Sequence, residues 1–304
     1  MRITRAYKPE LLNSVAVFLE REAAIELSYN CLVLGIKTNP GFITHHNLGI
    51  YLLEYFPYHR LWGKLFWEDR LFVGLKAEYH LKKALSYCRD RWETWIALGD
   101  NQFRGKKYIK ALGMYEEAGK YIKDGYSKWK VGNCRWVLNE FDKAEKSFLD
   151  AYNSFSTCED RIEAICAAVI CNIKNGKAKE QIESKYGPIL KEFSKDLINV
   201  LENKDVDIVG SLLWYGCTKL IPILYLIEDF DTLSLLCNII EKIDNYETYI
   251  TDDDLEIMKR AHKGICDDLV FKSKLEKQLI MFYPCNHIVR QLYIVDDHYT
   301  PDKI

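Results

Sequence analysis

Slid against itself by 33 residues, the chain pairs Trp95, Leu98, Gly99, Tyr108, Ala111, Tyr115 and Ala118 with Lys128, Val131, Gly132, Phe141, Ala144, Phe148 and Ala151. All pairs but the first agree in character. A period of this length marks one supersecondary unit that cannot bury its apolar face alone, so neighbouring units must stack. Around it, apolar residues recur at three- and four-residue steps, and alternating runs flanked by Asn-Gly or Asp-Gly turns are hard to find. The sequence predicts an all-α fold of helical hairpins. Gly99 and Ala111 are expected to face each other where the two helices of a hairpin cross, with Tyr115 and Ala118 turned toward the next hairpin.

These residues resemble the tetratricopeptide repeat (TPR), with its pattern W-x2-L-G-x2-Y, a loop, then A-x3-F-x2-A over about 34 residues. In 92–124 the pattern is met by Trp95, Leu98, Gly99, Ala111, Tyr115 and Ala118, with Gln102 replacing the first aromatic. In 125–158 Gly132, Ala144, Phe148 and Ala151 fit, while Lys128 and Arg135 stand at the Trp and Tyr positions. Extending the phase backwards puts Ala77, Leu81 and Ala84 on second-helix positions, but Lys64, Leu65 and Glu68 fail the first-helix ones. Extending it forwards gives Ile165, Cys166, Ala178 and Ile182, with Lys185 failing. The expected organisation is a helical N-terminal cap over 1–57, a TPR-like array over 58–192 with two clear and two degenerate repeats, and a helical extension or capping domain over 193–304. In that last part, helices are expected near 186–202, 205–228, 231–244, 252–268 and 269–283.

Composition narrows the function classes. At 48% hydrophobic and 28% charged residues over 304, the chain has the apolar content for a packed core. Net charge is -2, from 42 Lys+Arg against 44 Asp+Glu, which disfavours a nucleic-acid coat or a membrane-surface polycation. The charge is uneven: 1–157 hold 24 basic and 18 acidic residues (+6), and 158–304 hold 18 and 26 (-8). A basic front half of this kind steers an acidic partner. The ten cysteines lie mostly in apolar runs and read as reduced core residues, and the first residues lack a secretory core, so a cytoplasmic location is expected. From Ile208 to Ile227 the sole charge is Lys219, a run long enough to span a membrane. Lys219 and Pro222 argue instead for a buried, kinked core helix.

Chemistry-bearing motifs are sparse. C-x2-C, H-E-x-x-H and calcium-loop patterns are absent, and the nearest cluster is Cys285-Asn286-His287 with Asp296-Asp297-His298. His45, His46 and His80 have no accompanying G-x-S-x-G, no phosphate-cradling loop appears, and Asp252-Asp253-Asp254 after Thr251 reads as a helix N-terminus. No catalytic residue, metal or cofactor is assigned.

Six of the seven tryptophans fall between Trp62 and Trp136. The resemblance implies that first-helix positions 2, 5, 9, 12 and 13 line a concave groove for a partner segment. Those positions hold Glu93, Ile96, Asp100, Phe103 and Arg104 in one repeat and Tyr126, Trp129, Asn133, Trp136 and Val137 in the next. The partner-binding candidates are Phe103, Arg104, Tyr126, Trp129, Asn133 and Trp136, unless the chain's own terminal helices cover the tryptophans. The family's clamp for acidic chaperone tails does not carry over, because Ile96, Asp100, Lys130, Asp160 and Ala164 occupy its positions. The leading expectation is a non-enzymatic scaffold or adaptor for a protein or peptide. The alternatives are an enzyme or effector with its chemistry in the C-terminal helices, and RNA binding through Arg104, Lys106, Lys107, Lys128, Lys130 and Arg135.

Overall fold

The computed structural model describes residues 9–21, 25–54, 70–203, 218–243, 246, 251–263 and 268–281, and every extended element among them is an α-helix. The chain falls into two compact units that meet between Ile122 and Lys123 in sequence. The first holds α1 (Pro9–Arg21), α2 (Ile25–Thr38), α3 (Phe42–Glu54), α4 (Arg70–Tyr87), α5 (Trp92–Arg104) and α6 (Tyr108–Ala118). Here α1 pairs with α2, α3 with α4 and α5 with α6. The second holds α7 (Tyr126–Val137), α8 (Phe141–Tyr152), α9 (Cys158–Lys174), α10 (Lys179–Asn203), α11 (Thr218–Leu226), α12 (Phe230–Ile240), α13 (Asp252–His262) and α14 (Leu269–Met281).

Two repeated features define the hairpins. One is a close crossing: a Cβ on Gly99 would lie 2.3 Å from Cε1 of Tyr115, and one on Gly132 would lie 2.5 Å from Cε1 of Phe148. Each glycine thus faces the aromatic of its own second helix. This corrects the expected pairing of Gly99 with Ala111 and of Tyr115 with the next hairpin. The other feature is the turn. Lys106 and Asn139 adopt left-handed backbone (φ 57 and 59), and the N–H groups of Lys106 and Lys107 reach the carbonyls of Phe103 and Gln102 at 2.9 Å. Asn139 and Glu140 repeat those bonds to Trp136 and Arg135, so the last carbonyls of each first helix are satisfied before the chain reverses.

The same two features reveal hairpins that the period misses. The helix that pairs with α4 is α3, where a Cβ on Gly49 would meet Cδ2 of Leu81 at 2.7 Å; Ala77, Leu81 and Ala84 are all fully buried. Lys64, Leu65 and Glu68, tested for that role in sequence, lie outside the described residues. The connection 55–69 had displaced the phase. Downstream, Glu228 takes the left-handed turn position (φ 60), with Glu228 and Asp229 bonding back to Tyr225 and Leu224. Leu233, Cys237 and Ile240 follow it at the offsets that separate Ala111, Tyr115 and Ala118 from Lys106, and all three are fully buried. Helices α11 and α12 therefore share the turn of those hairpins, although α11 has no glycine for the close crossing. Between them, Gly176 (φ 70) makes the turn from α9 to α10, but one extra residue precedes α10. Ile182, Tyr186 and Leu190 enter the core, whereas Ala178 is exposed.

Helix α9 is buried continuously from Ile162 to Asn172 and is surrounded by α8, α10, α11 and α14. Its Glu163 accepts a hydrogen bond from Lys219 of α11, and the two side chains are 3% and 5% exposed. Burial pushes the Glu163 carboxyl up, and the Lys219 ammonium opposes that shift. Of the stretch 208–227, residues 218–226 form α11, with Pro222 inside it; among the described residues no helix is long and apolar enough to cross a membrane. Thr251 and Asp254 close a capping box at the start of α13, as the acidic triplet had indicated.

The crossings give opposite signs for two glycines of adjoining helices. Gly99→Ala is expected to cost about 1–3 kcal/mol, because a methyl cannot fit beneath the Tyr115 ring. Gly113→Ala, at an open position on α6 with nothing within 4 Å, should stabilise by about 0.4–1 kcal/mol. Urea melts of the two variants test the repeat phase directly, and equal effects would contradict it.

Candidate functional site

In the first unit, the first-helix face of α3 and α5 is laced together by polar side chains. His46 Nδ1 lies 2.9 Å from Thr94 Oγ1, and the Tyr115 hydroxyl donates to Asp100 Oδ1 at 2.6 Å. Arg104 donates to the carbonyl of Leu53, tying the end of α5 to the end of α3, yet its side chain is exposed. Phe103 is half-buried, meeting Tyr108 edge-on at 5.1 Å. The turn beyond them carries exposed Lys106 and Lys107, so one aromatic and three cations share the end of this hairpin. Glu93, also on α5, is 6% exposed and its Oε2 has no hydrogen-bond partner; burial raises its pKa.

Opposite Thr94's neighbourhood, α3 and α4 meet through two imidazoles. His45 Nδ1 and His80 Nδ1 stand 2.9 Å apart, with ring centroids 5.2 Å apart, so one Nδ1 donates and the other accepts. Burial lowers the pKa of both; Lys83 adds to the effect at His45, while His45 and Lys76 add to it at His80, which falls to about 4. Among the described residues no three His, Cys, Asp or Glu side chains gather at a possible metal position.

The second unit holds the remaining candidates. Trp129 is fully buried with its ring 5.0 Å from Phe148, and Trp136 is 7% exposed against Phe141. Tyr126 and Asn133 are each 2% exposed. All four are buried, so the groove face that the resemblance implied at Tyr126, Trp129, Asn133 and Trp136 is not open on α7. The physical reason lies in α8: the Phe148 ring that covers Gly132 also packs against Trp129. Of the basic residues weighed for RNA, Lys128 donates to Ser154 at 2.7 Å, Arg135 to Ser147 at 2.9 Å, and Lys130 stands over the Tyr126 ring.

The helix expected near 269–283 is α14, and what sequence inspection missed is where it packs. The hairpin rule would set it beside α13, yet its backbone runs against α9 and α11, the first helices of two successive hairpins. Its Phe271, Leu275 and Leu279 are buried, and the Phe271 ring meets Tyr225 of α11 edge-on at 5.7 Å. The i, i+4, i+8 spacing was legible, but nothing in the repeat phase says which helices such a stripe will cover.

No protein-family model matches the chain, and no curated protein matches it. Among solved structures, it is similar to the C-terminal part of a TPR repeat-containing protein from Cytophaga hutchinsonii. The identity is 15% and the TM-score 0.45, over 84% of this chain and 89% of that one. The hairpins described above are defined by this chain's own packing.

Two outcomes follow from the burial. Trp129→Ala should cost about 3–5 kcal/mol of folding stability, measured by chemical denaturation, since it empties the space beside Phe148. The histidine pair makes stability depend on pH. Unfolded histidine binds a proton near pH 6.5, and in the fold both groups bind it only at lower pH. Between about 6.5 and the folded value the unfolded chain therefore holds more protons, and stability falls as pH falls through that window. Melts at pH 7, 6 and 5 should show this decline, and His80→Asn, which keeps a polar atom near Nδ1, should flatten it.

Proposed function

We propose that the chain is a non-enzymatic TPR-like scaffold whose first-helix faces hold a polypeptide segment. The supporting observation is that α14 sets a buried stripe of Phe271, Leu275 and Leu279 against α9 and α11, two first helices. Helix-in-groove binding needs only an apolar stripe on the ligand and a row of packed helices beneath it, both of which α14 and its seat exemplify. Hairpins with the same glycine contact or left-handed turn occur within each unit, outside as well as inside 58–192. In the first unit the corresponding face ends in Phe103 and Arg104, beside Lys106 and Lys107. An aromatic with clustered cations suits an acidic segment, with the ring supplying buried area at small entropic cost. A cytoplasmic setting fits the buried thiols of Cys166, Cys171 and Cys237.

The role is tested by photo-crosslinking. A benzoylphenylalanine placed at Phe103 should capture a polypeptide from extracts of the native host, whereas one placed at Ile109, an exposed residue on the second helix, should not. Equal capture from both positions, or crosslinks to nucleic acid alone, would count against a first-helix docking face.

A further inference from the structure

Resting on the scaffold role just proposed, we infer that α14 is an internal occupant of a docking groove on α9 and α11. The external partner of that groove is a basic amphipathic helix that competes with it. The groove floor is apolar: Phe271, Leu275 and Leu279 lie on one face of α14, and Tyr225, fully buried, receives the edge of Phe271. On the other side, the guanidinium of Arg260 stands 4.1 Å over the Phe271 ring. The rim is acidic. Glu228 accepts Lys272 of α14 at 2.5 Å, and Asp253 accepts both Lys274 at 2.6 Å and Gln278 at 2.5 Å.

Glu228 is informative for a second reason. It occupies the left-handed turn position where glycine fits without strain, as Gly176 does in the preceding hairpin. What a glutamate adds there is a fixed carboxylate, which engages Lys272 and also Lys179 at 2.5 Å. Read outward from these contacts, the ligand register is an aromatic at i, leucine at i+4 and i+8, with cations at i+1 and i+3 to meet Glu228 and Asp253. A helix of that pattern matches the groove whether it comes from this chain or from another.

Helix α14 is held in a way that allows exchange. One apolar stripe, the Arg260 guanidinium over Phe271 and the ion pairs of Lys272 and Lys274 retain it, and the more exposed of these, Lys274 with Asp253, is weak and screened by salt. Its first turn leaves Leu269 and Val270 at 78% and 82% exposure, so its outer side is not built into a core. Tethering gives the internal helix a high effective concentration, and a competitor therefore sees an affinity lowered by the fraction of time the groove stands open.

The test uses the full chain and a fluorescein-labelled peptide with the sequence of residues 268–281. In the chain, Lys274→Ala with Gln278→Ala loosens α14 while leaving Asp253 and the apolar floor intact for the probe. Phe271→Asp with Leu275→Asp removes α14 from its seat. Relative to wild type, fluorescence anisotropy should report about threefold tighter probe binding to the first variant and tenfold or more to the second. A probe carrying Phe271→Asp should bind none of them, and raising salt should weaken the wild-type probe. Equal binding to all three chains would overturn the proposal. So would absence of binding to the first variant while its helical content and melting temperature match wild type. Such a failure, with capture at Phe103 still observed, would leave the scaffold role standing and remove only the internal occupant.

Discussion

The α3/α4, α5/α6 and α7/α8 hairpins close because one residue of the first helix has no side chain. At Gly99 and Gly132 the ring of Tyr115 or Phe148 rests on bare backbone, and at Gly49 the Leu81 side chain does the same. The near approach lets a large residue be buried completely between two helices that would otherwise be held apart. The small residues Ala111 and Ala118, or Ala144 and Ala151, then flank the ring from the second helix, each fully buried. Stacking follows as a consequence, because a hairpin only two helices thick has apolar positions left over on its outer sides.

That constraint explains which parts of the fold were legible in the sequence. The helical class and the two central hairpins could be read from Gly99, Tyr115, Gly132 and Phe148, since the same residue types recur at fixed spacing. The α3/α4 hairpin escaped because Gly49 stands 32 residues before Leu81 (81 − 49), whereas Gly99 and Gly132 stand 16 before Tyr115 and Phe148, and a fixed period cannot follow that change. Helices α9 and α10 were misphased for a different reason. Helix α9 is buried all round, so no polar face marks its register, and the additional residue before α10 shifts Ile182 and Tyr186 relative to Ala178. The α11/α12 hairpin substitutes Leu233, Cys237 and Ile240 for the small and aromatic residues of the pattern, and its turn uses a glutamate.

The interaction surface was less legible, and the tryptophans show why. Tryptophans seven residues apart, as at 129 and 136, share a helix face, but their spacing does not say whether that face meets solvent or a neighbour. Trp129 and Trp136 turned inward to Phe148 and Phe141, while the aromatic left partly exposed at the face is Phe103, whose sequence context looks less distinctive. The polar residues behaved similarly: Asp100 and His46 serve Tyr115 and Thr94 within the protein. Side-chain identity sets what a residue is able to do, and only the packing decides whether it is spent on the chain itself.

Lys219 and Glu163 are 56 residues apart in sequence, and that order bears on how the protein is made. A chain lengthening at about 5–20 residues per second extrudes Glu163 roughly 3–10 s before Lys219. Helix α9 and its carboxylate are then already available when the apolar stretch around Lys219 leaves the ribosome. Until the two meet, the ammonium remains hydrated and makes insertion of that stretch into a lipid bilayer costly, by about 2.5–3.5 kcal/mol for a lysine at mid-depth. One charge thus bears on two stages: it raises the cost of inserting a nascent apolar segment into lipid, and after folding it is the buried counter-ion of Glu163.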